Sequence, residues 1–585
     1  METYEEEAMK QEKSCGGVIF REQNGLREYL VLHSIQGHWT LCKGHVEGDE
    51  TEHDTALREI REETGLSVDF VDGFRETITY APRPSVTKNV VFFLARLSGG
   101  TLACQPEEVE AIRFLPLGRA LAALTHPSDR DTLQKAHAFL ESRRPMPTPL
   151  YDSLRALADT RPLRLDMPGH HGLPLPGGLS WPSELDFTEN GATGNLFGDE
   201  ADAIQAAEAL WAASFGFDQC LFLTGGSTQG IHAGLALLAE EGGSVALDRG
   251  SHRAVYHALA LLGLTPRFLP RPWLAQEGVT GPISPEMVAD VLSAHPEIKT
   301  ICITSPTYYG VLSDVPAIAA VCHARGARLM VDAAHGAHLP FLGYTGYQAA
   351  DVVVMSAHKT LPAPGQSALL FANGFPLFEL QRWGSVYGTS SPSYVLMAAL
   401  DEVRHYMETE GTARYQSTVR LVHELRRRRP ALTARAPLEL DPARLVLTSP
   451  DGFALADALR SQGIYPEMAD WGHVVCILTC ADGAAQFDRL EKALDRSGLS
   501  GPCAPVPAPP EPPPMVLTPR QALFAPRKRL PLGGAAEQIS ACQIAPYPPG
   551  VPVIAPGELI QKKHLAYLVQ IGYNRDGSTA IDVVR

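Results

Sequence analysis

The chain carries no excess of positive charge. Its 50 Lys and Arg stand against 66 Asp and Glu, a formal net charge of −16 over 585 residues. A protein that tracks a nucleic-acid backbone needs a basic face, so this balance argues against that class of partner. No run of about 18 apolar residues is present, which excludes a helix spanning a bilayer. Ten cysteines follow no repeating spacing. Cys476 and Cys480 lie nearest in sequence, yet no second pair or histidine set accompanies them. They read as free thiols of a reducing compartment rather than as a disulfide framework or a zinc site. The opening METYEEEAMKQEKS is acidic and polar, unlike a secretory signal, so a cytoplasmic protein is expected. No internal repeat is evident.

What remains is ordinary globular composition, 45% hydrophobic and 20% charged, in a chain long enough for about four domains. In DVVVMSAHKT, Asp351–Met355 is a short β-branched run that reads as a buried parallel strand, and Lys359 follows it in a small-residue turn. Arg328–Val331 is another apolar strand, ending in Asp332 of VDAAHGAH; Cys220–Leu223 is a third strand, ending in TGGSTQG before a helix. An acid, a glycine turn suited to phosphate and a lysine thus stand at three strand ends, where open α/β sheets bind ligands. These are the parts that pyridoxal phosphate requires.

Residues 1–143 are expected to form a first domain. Ser14–Phe20 and Glu28–His33 read as strands, and Leu115–Leu124 and Asp131–Arg143 as closing helices. Between them, Gly44-x5-Glu50-x7-Arg58-Glu59-Ile60-x-Glu62-Glu63-x-Gly65-Leu66 fits the Nudix box at every defined position. Thr51-x-x-Asp54 can start the helix and Gly65 can end it. Glu59, Glu62 and Glu63 then fall at i, i+3 and i+4 on one face. Three such carboxylates repel one another until a cation joins them, and hard oxygen donors favour Mg²⁺ or Mn²⁺. Arg58 is placed to orient them. HWTLCKGHVEG resembles the HWTPPKGHVEP of asymmetrical dinucleoside tetraphosphatases, with Leu41-Cys42 in place of two prolines. That resemblance implies an α/β/α Nudix sandwich with Lys43 on phosphate, Tyr80 stacked on a base and Glu108 as a further carboxylate near the metal. Glu62 and Glu63 would be needed for hydrolysis.

From residue 147 to 430, strands at Cys220–Leu223, Ser244–Leu247, Thr300–Thr304, Arg328–Asp332 and Asp351–Met355 alternate with helical spacers. This predicts a mostly parallel sheet covered on both faces. MPGHHG, DFTENGATGNLFG, TGGSTQG, DRGSHRAVYHAL, SPTYYGVLSD, VDAAHGAH and SAHKTL resemble, in that order, the motifs of the fold-type-I ornithine/lysine/arginine decarboxylases. The resemblance implies that Lys359 holds the cofactor covalently, Asp332 pairs with its pyridine nitrogen and His252 stacks on its ring. Ala334 would leave room on the other face, with His335 near the phenolic oxygen. Gly226, Ser227 and Thr228 would hold the phosphate, joined by Ser356 and His358. HKTLPAPGQ departs from the family's HKTLPALTQ at Pro364 and Gly365. Residues 431–500 read as a small α/β domain, 501–514 as a proline-rich linker, and 515–585 as the family's C-terminal domain, where Glu558 would meet a basic substrate's distal nitrogen. The expectation is a bifunctional enzyme of at least two identical chains. It would decarboxylate arginine, lysine or ornithine towards a polyamine or its precursor, and cleave a nucleotide pyrophosphate. Two alternatives stand beside it: a pyridoxal-phosphate domain of another reaction type, and a Nudix domain that only binds a regulatory nucleotide.

Overall fold

The structure, a computed structural model, describes residues 10–23, 26–83, 86–143, 148–175, 179–198, 202–436, 438–546, 552–573 and 579–585. They divide into two compact units, one within the first 146 residues and one beyond. In the first, β1 (Lys10–Gln23), β2 (Leu26–Ser34), β3 (Trp39–Thr40), β4 (Cys42–His45), β5 (Leu66–Arg83), β6 (Val86–Gly100) and β7 (Val109–Pro116) form one sheet. Its order is β3-β2-β1-β6-β5, with β4 on β1 and β7 on β2, and β1 and β6 run parallel. Helix α1 (Glu52–Thr64) starts at a Thr51–Asp54 capping box and stops at Gly65, whose φ of 70° suits glycine. It buries Ala56 and Ile60, and Glu59 and Glu63 meet β4 at Gly44 and Lys43. The first closing helix, α2 (Leu117–Ala123), begins later than its sequence suggests, because Leu115 and Pro116 pair with Tyr29 and Glu28 and extend β7. The last, α3, covers Pro127–Arg143.

In the second unit, β8 (Gln219–Leu223), β9 (Ser244–Asp248), β10 (Thr265–Leu269), β11 (Thr300–Thr304), β12 (Arg328–Asp332), β13 (Val352–Met355) and β14 (Ala368–Ala372) form a sheet of order β10-β9-β11-β12-β13-β14-β8. All pairs are parallel except those of β14, which runs antiparallel to both neighbours. Helices cover the faces, so the strands are buried almost throughout. Two glycines let helix α4 (Gly226–Leu238) lie close on the sheet. A Cβ on Gly230 would come within 2.6 Å of Leu223 and 2.8 Å of Val354, and one on Gly234 within 3.0 Å of Met330 and Val352. This close seating sets the start of α4 beside the ends of β12 and β13, where Asp332 and the Lys359 turn emerge. Helix α5 (Arg253–Leu262) starts likewise after β9. Strands β15 (Arg444–Thr448), β16 (Met468–Ala469) and β17 (His473–Ile477) make a smaller antiparallel sheet, and β18 (Arg527–Pro531) pairs with β19 (Ala580–Val584). Residues 502–514 form neither helix nor strand.

Candidate active sites

At the carboxyl ends of the large sheet lies a cavity of about 520 Å³. Lys359 enters it from the short helical turn Ala357–Thr360 after β13. Its Nζ is 3.4 Å from His335 Nε2, and His335 Nδ1 is 3.5 Å from Arg444 Nη2. A guanidinium carries donors and no acceptor, so Nδ1 accepts and the ring proton sits on Nε2, facing Lys359. Burial, with Lys359 and Arg444 adding, drives the His335 pKa well below the ordinary value, so the ring is neutral. Burial likewise lowers Lys359, against the pull of Asp332 and Glu467, and Arg444 adds to the lowering. An amine shifted that way is more readily the free base a nucleophile must be.

Asp332 ends β12 almost wholly buried, and its Oδ1 accepts the Ala334 N–H at 3.1 Å. Burial raises its pKa, while Lys359 and the Ala334 N–H oppose the rise. His252 caps α5 by accepting the Ala254 N–H at Nδ1, 3.3 Å away. Its ring is exposed to the open cavity, yet the protein packed around it, then Lys359 and Arg253, lower its pKa to about 4, so it faces the cavity as a neutral ring. At another wall, α4 begins at Gly225 with no side-chain cap, which leaves its first amides for an anion, and Ser227 lines the cavity there.

The cavity therefore gathers Ser227, His252, Asp332, Ala334, His335 and Lys359. Gly226 (φ 73°) and Thr228 share the α4 turn but do not line it. Ser356 is fully buried; its Oγ meets His358 Nδ1 at 3.3 Å, and that nitrogen also lies 3.1 Å from the Ser367 carbonyl. The pair ties down the loop after Lys359 rather than lining the cavity. Glu558 is not brought to the cavity. It is fully buried, its Oε1 and Oε2 bound by Arg249 Nη1 and Nη2 at 2.5 and 2.9 Å, and Oε2 accepts the Ala555 N–H at 2.7 Å. The substrate contact expected of it is corrected accordingly: its charge is already neutralised. Arg444 and Gln543 were not expected, since each is far in sequence from the other residues of the cavity and no motif surrounds it. Pyridoxal phosphate fits the set that remains. An amine of lowered pKa, a buried carboxylate, a neutral ring, a small alanine and an uncapped helix start would receive it.

The first unit holds a cavity of about 860 Å³ lined by Lys43, Glu59, Glu63, Tyr80, Lys88 and Glu108, among others. A Cβ on Gly44 would stand 1.9–2.1 Å from the Glu59 carboxyl group, so a side chain there would push that carboxyl group from its place. Arg58 does orient the acids. Its Nε reaches Glu50 at 2.7 Å, its Nη1 Glu59 and Glu62 at 2.9 and 3.0 Å, and its Nη2 the His45 carbonyl at 2.8 Å. Glu62 is exposed and does not line the cavity. Glu63 accepts the Lys43 N–H at 3.1 Å, yet burial pushes its pKa up to about 7, and Glu59 adds to the rise. Glu59 is raised by burial too, with Glu62 and Glu108 contributing against Arg58. Among the described residues no group of three or more His, Cys, Asp and Glu side chains converges closely enough to hold a metal as it stands. The donors are nevertheless hard oxygens, with one guanidinium, Arg58, shared among Glu50, Glu59 and Glu62, and such oxygens fit Mg²⁺ or Mn²⁺.

Comparison with known proteins follows the same division. Residues 148–446 match the Orn/Lys/Arg decarboxylase major domain, residues 511–574 the Orn/Lys/Arg decarboxylase C-terminal domain, and residues 10–136 the NUDIX domain. The arginine decarboxylase of Bacillus subtilis (strain 168) is 29% identical over 458 residues, covering 72% of this chain and 93% of that protein. The asymmetrical bis(5'-nucleosyl)-tetraphosphatase of Mus musculus is 35% identical over 140 residues, 22% of this chain and 95% of that protein. The lysine decarboxylase structure from Francisella novicida superposes with a TM-score of 0.64 at 19% identity, over 78% of this chain and 84% of that one, which shows a shared fold.

Proposed function

The chain belongs to the Orn/Lys/Arg decarboxylase family and carries a NUDIX domain ahead of it, and from that premise we propose a bifunctional enzyme. Its larger unit decarboxylates a basic amino acid with pyridoxal phosphate, and its first unit hydrolyses a nucleotide pyrophosphate such as a dinucleoside tetraphosphate. The observation that carries the first half is Lys359, its pKa depressed, in one cavity with the buried Asp332 and the neutral His252.

Pyridoxal phosphate supplies an electron sink for the bond between Cα and the departing carboxylate. Lys359 would hold it covalently, Asp332 would keep a proton on the pyridine nitrogen, and His252 would lie flat against the ring. Ser227 and the first amides of α4 would anchor the phosphate, and His335 would offer its Nε2–H to the phenolic oxygen. In the first unit, Glu59, Glu63 and Glu108, with Glu62 after release from Arg58, would hold Mg²⁺ or Mn²⁺. Such a cation clamps pyrophosphate oxygens and acidifies water. Lys43 would contact phosphate and Tyr80, 41% exposed, would offer its ring to a base. Leu163, Leu165, Met167, Leu173 and Leu179 are 63–87% exposed, an apolar stretch that a second copy of the chain would cover. All ten cysteines are free, which fits the reducing cytoplasm.

The test is release of CO₂ and amine from arginine, lysine and ornithine by the full chain with pyridoxal phosphate, alongside Lys359→Ala. Turnover of one amino acid, lost in the variant, is expected. A cofactor absorbance band without release from any of the three would discard this substrate class. Hydrolysis of diadenosine tetraphosphate with Mg²⁺ should be lost in Glu62→Gln/Glu63→Gln. Full activity in that double variant would leave the metal assignment without support.

A further inference from the structure

Gln543 lines the 520 Å³ cavity between Cys542 and Ala545, and both polar atoms of its side-chain amide are shielded from solvent. Among the described residues neither atom has a hydrogen-bond partner. A buried amide left this way carries a desolvation cost that a ligand can relieve.

The backbone holds Gln543 at the cavity with little freedom. On one side the Ala541 N–H donates to the Asp582 carbonyl at 3.0 Å and Ser540 Oγ donates to the Cys542 carbonyl at 2.7 Å. On the other, the Ile544 N–H donates to the Ile554 carbonyl at 2.8 Å, and Ile544 is buried in the C-terminal core. Gln543 itself stands outside that core and at the cavity wall.

Charge on the walls is uneven. Lys359, Arg253 and Arg271 all come from the large domain, whereas the C-terminal segment offers a thiol, an amide and a methyl group. Arg271 is already paired with Asp248, at 2.6 Å between Nη2 and Oδ2. Among the described residues, Asp332 is the one carboxylate lining the cavity, and it is committed to the cofactor end. A cationic side chain extending from Lys359 therefore finds no free carboxylate there, and Glu558 is closed off by Arg249.

Resting on the reading of a basic substrate, we propose that Gln543 is a specificity-determining contact. Its Oε1 accepts a hydrogen bond from the distal ammonium or guanidinium of the bound amino acid.

The probes are agmatine, cadaverine and putrescine, the amines that remain when arginine, lysine and ornithine lose CO₂. Their binding to the cofactor-loaded full chain is read by calorimetry. Gln543→Leu keeps the volume without the amide and should weaken the preferred amine about tenfold. Gln543→Glu places a charge at the same point and should tighten it. If wild type binds an amine and both variants weaken it alike, Gln543 only packs and the assignment is overturned; unchanged binding in both overturns it equally. Binding of none of the three amines by wild type would instead overturn the basic-substrate reading, and this assignment with it. Cofactor affinity, measured by absorbance titration, should stay the same in both variants and checks that they fold.

Discussion

Arg444 shows how a single side chain can set the chemistry of a site from behind. It stands almost fully buried at the first position of β15, Nη2 towards His335, and its Nε and Nη1 have no hydrogen-bond partner among the described residues. Its charge lowers Lys359, and its donor fixes the His335 proton on the nitrogen that faces Lys359. Arg444→Gln should therefore raise the pKa of Lys359. Asp332 and Glu467 already pull it upward and burial pulls it down. Acylation of Lys359 in the cofactor-free chain, followed against pH by mass spectrometry, reads the shift directly. A labelling profile that does not move would remove Arg444 from this role. Glu63 offers a second test of the same kind. Its folded pKa of about 7 lies above the ordinary 4.5, so the folded state binds the extra proton. Without divalent cation, its contribution to stability is present at low pH and is lost as pH rises from about 4.5 through about 7. Glu63→Gln should flatten that decline and raise the melting temperature at pH 8, and Mg²⁺ should restore wild type more than the variant.

Among the elements, β17 carries the contact that joins three segments. His473, its first residue, is fully buried, with Nδ1 3.0 Å from Asp470 Oδ1 and Nε2 2.9 Å from the Glu277 carbonyl and 3.4 Å from Cys503 Sγ. Asp470 in turn accepts the Tyr309 hydroxyl. Burial alone would lower the His473 pKa, but the bonds to Asp470 and Cys503 outweigh it and raise the pKa to about 10. A raised histidine stabilises fully below its unfolded value near 6.5, and that stability is lost as pH climbs through about 10. The melting temperature should fall between pH 7 and 10, and His473→Gln should be lower at pH 7 with a shallower slope. Equal slopes would show that other groups titrate there. Such a link is not legible in sequence, whereas much of the frame is. Thr300–Thr304 and Arg328–Asp332 are strands as their apolar runs predict, and α1 starts and ends at its capping box and glycine. Lys359, Asp332 and His252 are legible because each sits at the end of a strand or the start of a helix, where local pattern and ligand chemistry coincide. Arg444, Gln543 and the partner of Glu558 escape because their neighbours lie far off in sequence, and pairing at that separation leaves no periodic trace. The antiparallel β14 is hidden for a different reason: ALLFA is equally apolar in either direction.

At the scale of the whole molecule, the division into two compact units makes each chemistry separately addressable. The candidate catalytic carboxylates Glu59, Glu62 and Glu63 lie within the first unit; Lys359, Asp332, His252, Arg444 and Gln543 lie within the second. Ligands stabilise the state that binds them, by an amount set by concentration over Kd. Calorimetric unfolding of the full chain should then show two transitions that respond to different additives. Pyridoxal phosphate should raise one and leave the other within about 1 °C, while Mg²⁺ with a non-hydrolysable dinucleoside polyphosphate should do the reverse. Lys359→Ala should abolish the first response and keep nucleotide hydrolysis within about twofold of wild type. Glu62→Gln/Glu63→Gln should lower hydrolysis by about 100-fold and keep amine release. A shift of both transitions by either ligand, or loss of decarboxylation in the glutamate variant, would instead mean that nucleotide occupancy of the first unit controls the second, the arrangement expected of a regulatory Nudix domain.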